Sequence, residues 1–333
     1  MKKLFFTVLP MLFFIITPLA ALQKHSPAEW NMAPTATEDT VLQQKLSELI
    51  KDFHGQVGIY VHQFSTGKTA AINADTLFPT ASMIKVSIML KLFDKINRGE
   101  LKYDSVLVYR DSLNSYGDGG ICGSLKDSTR IPLAEVVMLM MTMSDNIAAL
   151  WCQTLADSGR AINQWLEDHG FHNTRVNSRT PGRHGDWEKY GWGQTTPREM
   201  CGLFTMIHDG KAVSPAASEE MFRVLSRDYW DKMALGEIPP DVHAAAKDGA
   251  VDASKSETIF VSLPAGRQGA PSQGDFQSGD YVFCVITNHQ EDQRWTADNE
   301  GYVLLRNVSR LLWHYFEPAS TWKPADGMEN YWK

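Results

Sequence analysis

Strand-forming sequence lies at both ends of this chain, with a long stretch of helical pattern between them. Near the start, Val57 to Phe64 is rich in β-branched and aromatic residues. Ser65-Thr66-Gly67-Lys68 then reads as a turn, and Thr69 to Ile72 returns as a second strand. Near the end, Ile259 to Leu263 and Tyr281 to Thr287 are two further β-rich runs. That order predicts one antiparallel sheet built from both chain ends, flanked by helices, with an all-α lobe inserted: a two-lobed α/β (α+β) fold.

The helices follow from apolar spacing. Thr40 to Phe53 places Val41, Leu42, Leu46, Leu49 and Ile50 on one face. Residues 82–98 align Ile84, Ile88, Leu92 and Ile96, and Gly99 stands where a helix is commonly closed. Pro132 to Thr142 is very apolar, and Met138, Met140, Met141 and Met143 suit deep burial. Ile147 to Ala156, Ala161 to His169, Ser214 to Trp230 and Gly301 to Phe316 complete the set. Thr196-Pro197-Arg198-Glu199 reads as a helix start, with Thr196 as cap and Glu199 three residues on. Residues 111–130, with Gly117, Gly119, Gly120 and Gly123, read as loop, residues 170–196 as irregular and 264–280 as an exposed excursion. The expected boundaries are a leader at 1–22, a linker at 23–39, a catalytic domain at 40–316 and a tail at 317–333. Within the domain, 40–80 and 243–316 form the α/β lobe and 81–242 the helical lobe.

Met1-Lys2-Lys3, the apolar run Leu4 to Leu19 broken by Pro10 and Pro18, and the small-residue exit Ala20-Ala21 are the parts of a secretory signal peptide. The run is short of the ~20 apolar residues a membrane span needs. Cleavage is expected between Ala20 and Gln23, which places the mature protein in the periplasm or outside the cell. In an oxidising compartment Cys122, Cys152, Cys201 and Cys284 could pair in three ways, but buried free thiols are the preferred reading. With 32 basic and 39 acidic residues the net charge is −7, which argues against nucleic acid as a partner. Hydrophobic residues at 43% give a globular composition. A monomer acting on a small molecule, off the membrane once its leader is removed, is expected.

Three short strings carry chemistry. Ser82-Met83-Ile84-Lys85 opens a helix and puts hydroxyl and amine one turn apart on one face. A serine needs a neighbouring base to attack, and a lysine serves when burial or nearby charge lowers its pKa. The Ser82 N–H at a helix start can also face a developing oxyanion. Ser144-Asp145-Asn146 follows the apolar helix; its serine can relay a proton and its asparagine can hold an amide, although capping the next helix is the plain alternative. Lys247-Asp248-Gly249-Ala250 lies where strand pattern resumes.

In that order, and with Phe78-Pro79-Thr80-Ala81 and Thr195-Thr196-Pro197 beside them, the strings resemble the class A β-lactamases and related penicillin-binding serine hydrolases from about residue 40 to 316. The resemblance implies that Ser82 is acylated, that Lys85 shares in its deprotonation and that Ser144 passes a proton to the leaving nitrogen. It further implies that Asn146 orients the substrate amide, that Lys247 supplies positive charge to Ser144 and to a substrate carboxylate, and that Ser82 and Ala250 N–H groups form the oxyanion hole. Substrate would lie against Asn146, Asp248, Gly249 and Ala250. No metal or organic cofactor is implied, and the ten histidines are scattered.

Two positions depart from the family. Where it carries a loop glutamate that activates the deacylating water, alignment on Pro181 places Thr180, which is no base at neutral pH. Loss of general-base help, worth ~10²–10⁴ in rate, implies a long-lived acyl-enzyme unless Asp186 or Glu188 substitutes. Asp248 stands where the family has a hydroxyl that binds the β-lactam carboxylate. Like charges ~4 Å apart at an effective dielectric of ~20 repel by about 4 kcal/mol before screening. An anionic β-lactam should therefore bind less well, favouring a substrate uncharged or cationic on that side. Arg175, Arg179, Arg183, Lys255 and Arg267 read as solvated surface by default. The alternatives are D-alanyl-peptide cleavage or transfer, hydrolysis of another ester or amide, and a non-catalytic binding module that kept the fold.

Overall fold

The computed structural model describes residues 37–114, 120–263 and 279–331. The expected leader, most of the linker, Gly117 and Gly119, Arg267 and residues 264–278 lie outside the described residues.

The chain opens with β1 (Thr37–Glu38) and α1 (Thr40–Ile50), followed by the hairpin β2 (Gln56–Gln63) and β3 (Lys68–Ile72). Asp39 starts α1 by accepting a hydrogen bond from Leu42 N at 3.1 Å. Thr37 and Glu38, read as linker, instead pair in parallel with Lys68 and Thr69. Next come β4 (Phe78–Pro79), a 3₁₀ turn at Ala81–Ile84 and α2 (Lys85–Asn97). α2 ends as its glycine foretold: Gly99 takes φ +74° and its N–H donates to Ile96 O, while Glu100 N–H donates to Lys95 O. β5 (Val106–Val108) and β6 (Arg130–Pro132) pair across the Gly-rich loop and lead into α3 (Leu133–Thr142), α4 (Asn146–Leu155) and α5 (Ser158–Asp168).

The stretch expected to be irregular holds β7 (Arg175–Val176), α6 (His184–Tyr190) and β8 (Gly193–Thr195), and β8 joins β4 and β7 in a small sheet. α7 (Pro197–His208) and α8 (Pro215–Leu225) close the helical part. The chain then returns to strands: β9 (His243–Val251), β10 (Ser254–Ser262) and β11 (Tyr281–Asn288), followed by α9 (Glu300–Phe316). Within the segment expected as tail, Ser320 accepts from Trp313 Nε1 at 3.0 Å, so the chain packs back on α9.

The main sheet runs β1-β3-β2-β11-β10-β9, antiparallel except for its β1 edge. Its central pairing sets Val61 opposite Phe283 and joins the two ends of the chain. Alternation along the strands divides the core. Tyr60, Val282, Cys284 and Ile286 face the helical lobe, while Ile59, Val61, Phe283 and Val285 face α1 and α9. α2 is buried along most of its length, because the helices and the sheet surround it. Met140 and Met141 are buried in α3 as expected, but Met138 is 41% exposed, on the helix face turned from the core. All four cysteines are buried free thiols. Lys255 is buried rather than solvated, with its ammonium donating to Val251 O at 2.6 Å and lying 4.3 Å from the Trp295 ring. Burial draws its pKa down to about 8 against the charge of Asp252.

Candidate active site

The first string is held in a tight backbone setting. Ala81 adopts φ +44°, unusual for a residue with a side chain, and delivers Ser82 into the 3₁₀ turn. Thr80 N–H donates to Gly193 O at 3.0 Å on one side. On the other, Gly249 of β9 comes so near that a Cβ there would stand 2.4 Å from Thr80 O and 3.1 Å from Ser82 N. Gly249 is thus fixed by close approach, and the Ser82 turn is wedged between β8 and β9.

Lys85 is fully buried, and its ammonium is the hub of the site. Nζ lies 3.0 Å from Ser82 Oγ, 3.1 Å from Ser144 Oγ and 2.9 Å from Asn146 Oδ1, and it also donates to Ser144 O. The Trp192 ring lies 5.9 Å away. Ser144 takes φ +56°, which turns the chain from α3 into α4. Asp145 makes that turn rigid: Oδ1 accepts from Ala148 N at 2.8 Å, capping α4, and Oδ2 accepts from Cys122 N at 2.9 Å, tying the Gly-rich loop down. The capping role weighed for this string therefore belongs to Asp145 and leaves Ser144 and Asn146 to face Lys85.

Ser82, Asn146 and Ala250 line one cavity of about 320 Å³, walled by Lys189, Tyr190 and Trp192 and by the β9–β10 turn. The three strings thus meet there, and among the described residues no aspartate or glutamate lines it. Thr180 faces elsewhere. Its Oγ1 donates to Ser178 O at 3.0 Å and abuts Gly159 of α5. Asp186 pairs with Arg183 at 2.9 Å and Glu188 with His184 at 3.2 Å, so the two carboxylates weighed as substitutes are engaged on α6. Arg183 is bonded to Asn177 and Gln194 as well, and it pins the loop rather than standing in solvent.

Lys247 departs from its expected partnership. Among the described residues its ammonium is hydrogen-bonded to Asp248 Oδ1 and not to Ser144. The reason is proximity: a charge-assisted bond to the adjacent carboxylate in a site that excludes water outweighs a bond to a neutral hydroxyl. Burial works to lower the Lys247 pKa, but Asp248 and Asp228 outweigh it and the net shift is upward. Asp228 is pushed up to about 7, by burial first and by Asp248 next, while Lys247 opposes the shift. Glu257, opposite Asp248 on β10, is fully buried and driven well above the carboxylate range by that burial. Asp228, Tyr190 and Trp192 were not visible from the sequence, since none sits in a motif and only the fold carries them to the site.

The decisive comparison follows from these strings. The sequence profile of the Beta-lactamase enzyme family matches residues 41–316. The chain belongs to that family. A beta-lactamase of Streptomyces fradiae is 26% identical over 279 residues, spanning 80% of this chain and 84% of that protein. One of Streptomyces albus G is 24% identical over 283 residues, spanning 81% and 83%. Among solved structures, a point mutant of PBP-A in an acyl-enzyme complex with penicillin G has a TM-score of 0.72 at 23% identity, over 86% of this chain and 100% of that one. The two-lobed α/β arrangement is the family fold.

Proposed function

We propose that this member of the family is a serine acyl-transfer enzyme that forms an acyl-enzyme on Ser82 with a β-lactam or related amide or ester and releases it slowly. One observation carries the reading: a single buried ammonium, Lys85, is bonded to both Ser82 Oγ and Ser144 Oγ beside a cavity. In its neutral form Lys85 takes the Ser82 proton as Oγ attacks the carbonyl carbon. The tetrahedral oxyanion is held by the N–H groups of Ser82 and Ala250, an arrangement in which each donor is worth ~10²–10³ in rate. Collapse breaks the carbon–nitrogen bond, and Ser144, reprotonated through Lys85, hands its proton to the departing nitrogen. Asn146 orients the amide side chain. The relatives support this chemistry, being beta-lactamases and, in PBP-A, a protein trapped as an acyl-enzyme.

Slow release follows from the cavity lining. Hydrolysis of the ester needs a base to activate water, and among the described residues the lining offers Lys189, Tyr190 and His289 but no carboxylate. With Thr180 bonded to Ser178 O, deacylation is expected to be slower by ~10²–10⁴ than with a loop glutamate in place. That slowness favours penicillin-binding-type peptide chemistry over β-lactam turnover as the second reading. We further propose that it acts outside the cytoplasm, on the strength of the N-terminal signal pattern.

The test is intact mass after exposure to penicillin G, followed over time. A stable adduct on Ser82, absent from Ser82→Ala, is the expected result. A folded protein that never gains mass would sink the acylation reading, and a label lost within seconds would sink the account of Thr180.

A further inference from the structure

We propose that Lys255 is a positioning residue for acylation: its buried ammonium holds the tip of the β9–β10 hairpin and so keeps the Ala250 N–H aimed at the carbonyl on Ser82. The inference rests on the acylation reading above and deepens it. Val251, Ala253 and Ser254 of that tip line the cavity together with Ser82 and Ala250. Lys255 stands directly opposite Ala250 in the strand register. Its own N–H turns to the far side and donates to Thr287 Oγ1 of β11 at 2.8 Å. Opposed residues of an antiparallel pair point their backbone groups either both towards each other or both away. Ala250 therefore turns its N–H off the edge of the sheet, where β9 is the last strand and meets the Ser82 turn.

The Lys255 ammonium donates to Val251 O at 2.6 Å and to Asp252 O at 3.3 Å, the two carbonyls that follow Ala250 in the chain. It lies 4.3 Å from the Trp295 ring and 5.1 Å from the Tyr302 ring, so two aromatic faces hold the cation. Trp295 is tied to the same tip, its Nε1 donating to Asp252 Oδ1 at 2.8 Å. Gly301 of α9 meets the lysine stem at Cγ, where a Cβ would stand 2.8 Å away, and a four-carbon chain bends from such a contact with its ammonium still on both carbonyls. The titratable groups around the ammonium are Asp252 on the tip, Lys232 after α8, Asp292 before α9 and Tyr302 on α9. Burial draws the Lys255 pKa down to about 8, with Asp252 opposing it. The protonated form is the stronger donor to both carbonyls, so the hold on the tip weakens as pH rises through about 8.

The experiment follows acylation of Ser82 by penicillin G by intact mass, across penicillin concentrations and from pH 7 to pH 9.5, in folded protein. Lys255→Met is expected to lower the first-order acylation constant about fivefold or more at pH 7 and to leave the concentration for half-maximal rate within about threefold, since a misaimed oxyanion donor is felt in the transition state. The ratio of wild type to variant should fall towards one by pH 9.5, with its midpoint near pH 8. Asp252→Asn removes the charge that favours the ammonium, and should move the alkaline fall of the otherwise wild-type protein to lower pH. A folded Lys255→Met that acylates at the wild-type rate overturns the proposal, and so does a ratio that stays constant with pH, which is what a purely structural lysine gives. If Lys255→Met does not fold, a wild-type constant that shows no alkaline fall, or a fall that Asp252→Asn leaves in place, overturns it. Each of these results leaves acylation standing. If wild-type protein gains no mass on Ser82 at any pH, acylation itself falls and this inference falls with it.

Discussion

Gly249→Ala adds one methyl group at the closest backbone approach in the site. Its Cβ would lie 2.4 Å from Thr80 O, against about 3.3 Å for an ordinary carbon–oxygen contact, so the Ser82 turn and β9 must part by about 0.9 Å. Overpacking of this kind destabilises by about 1–3 kcal/mol, or roughly 2–12 °C at the 2–4 °C per kcal/mol of a large domain. The chemistry should suffer far more, because a displacement of about 1 Å at a reacting centre costs ~10² in rate. The assay pairs thermal unfolding with the rate of Ser82 labelling by a fluorescent penicillin. Gly301→Ala is the control, since its Cβ would stand 2.3 Å from Gln290 Oε1, an overlap as short at the start of α9 but with a side-chain tip rather than with backbone. Labelling should fall about 100-fold in Gly249→Ala and stay near wild type in Gly301→Ala. Equal labelling in the two, at similar loss of melting temperature, would refute the idea that this contact sets the position of Ser82.

Removing the Asp145 carboxylate with Asp145→Ala strips the cap of α4 and the tie to Cys122 N, two bonds of 2.8 and 2.9 Å, and should destabilise by about 2–4 kcal/mol in denaturant unfolding; a loss below 0.5 kcal/mol would show that neither bond matters. Asp228 has a folded pKa raised from 3.8 to about 7, so its contribution to stability is fully present below pH 4 and disappears as pH rises through 7. Asp228→Asn should flatten the melting temperature between pH 4 and 7, and an identical slope in both proteins would contradict the burial assigned to it. The thiols are buried, with Cys122 and Cys284 pushed up to about 12 by that burial. A thiol reagent should titrate none of the four in native protein and all four in denaturant, and a disulfide found by mass would overturn this.

Much of the architecture was written in periodicity. The face of α1 apart from Val41, which is 56% exposed, the face of α2, the Gly99 closure, the Thr196 cap and the β2–β3 hairpin are local agreements between pattern and backbone. α6 was invisible because His184–Tyr190 is largely solvent-facing and has no apolar spacing; its position comes from Arg183 reaching Asn177 and Gln194. The length of β9 was hidden too, since His-Ala-Ala-Ala has weak strand preference and becomes a strand through its pairing with β10. In the site, the turn spacing of Ser82 and Lys85 was readable. The Lys247–Asp248 bond was not, because neighbours on a strand start out on opposite faces and only the surrounding walls fold the lysine back.

The seam between β2 and β11 sets a timetable for the chain. Strand Gln56–Gln63 is made well before its long neighbour Tyr281–Asn288, which follows only after the whole helical lobe. Until then the middle of the sheet is an open edge, and Ile59 and Val61 wait longer still for α9 to pack over them. Contacts so remote in sequence slow the search for the native state. A newly made molecule thus spends its early life as an unfinished sheet, open to chaperones, proteases and other copies of itself, and becomes safe from them when its last long strand arrives.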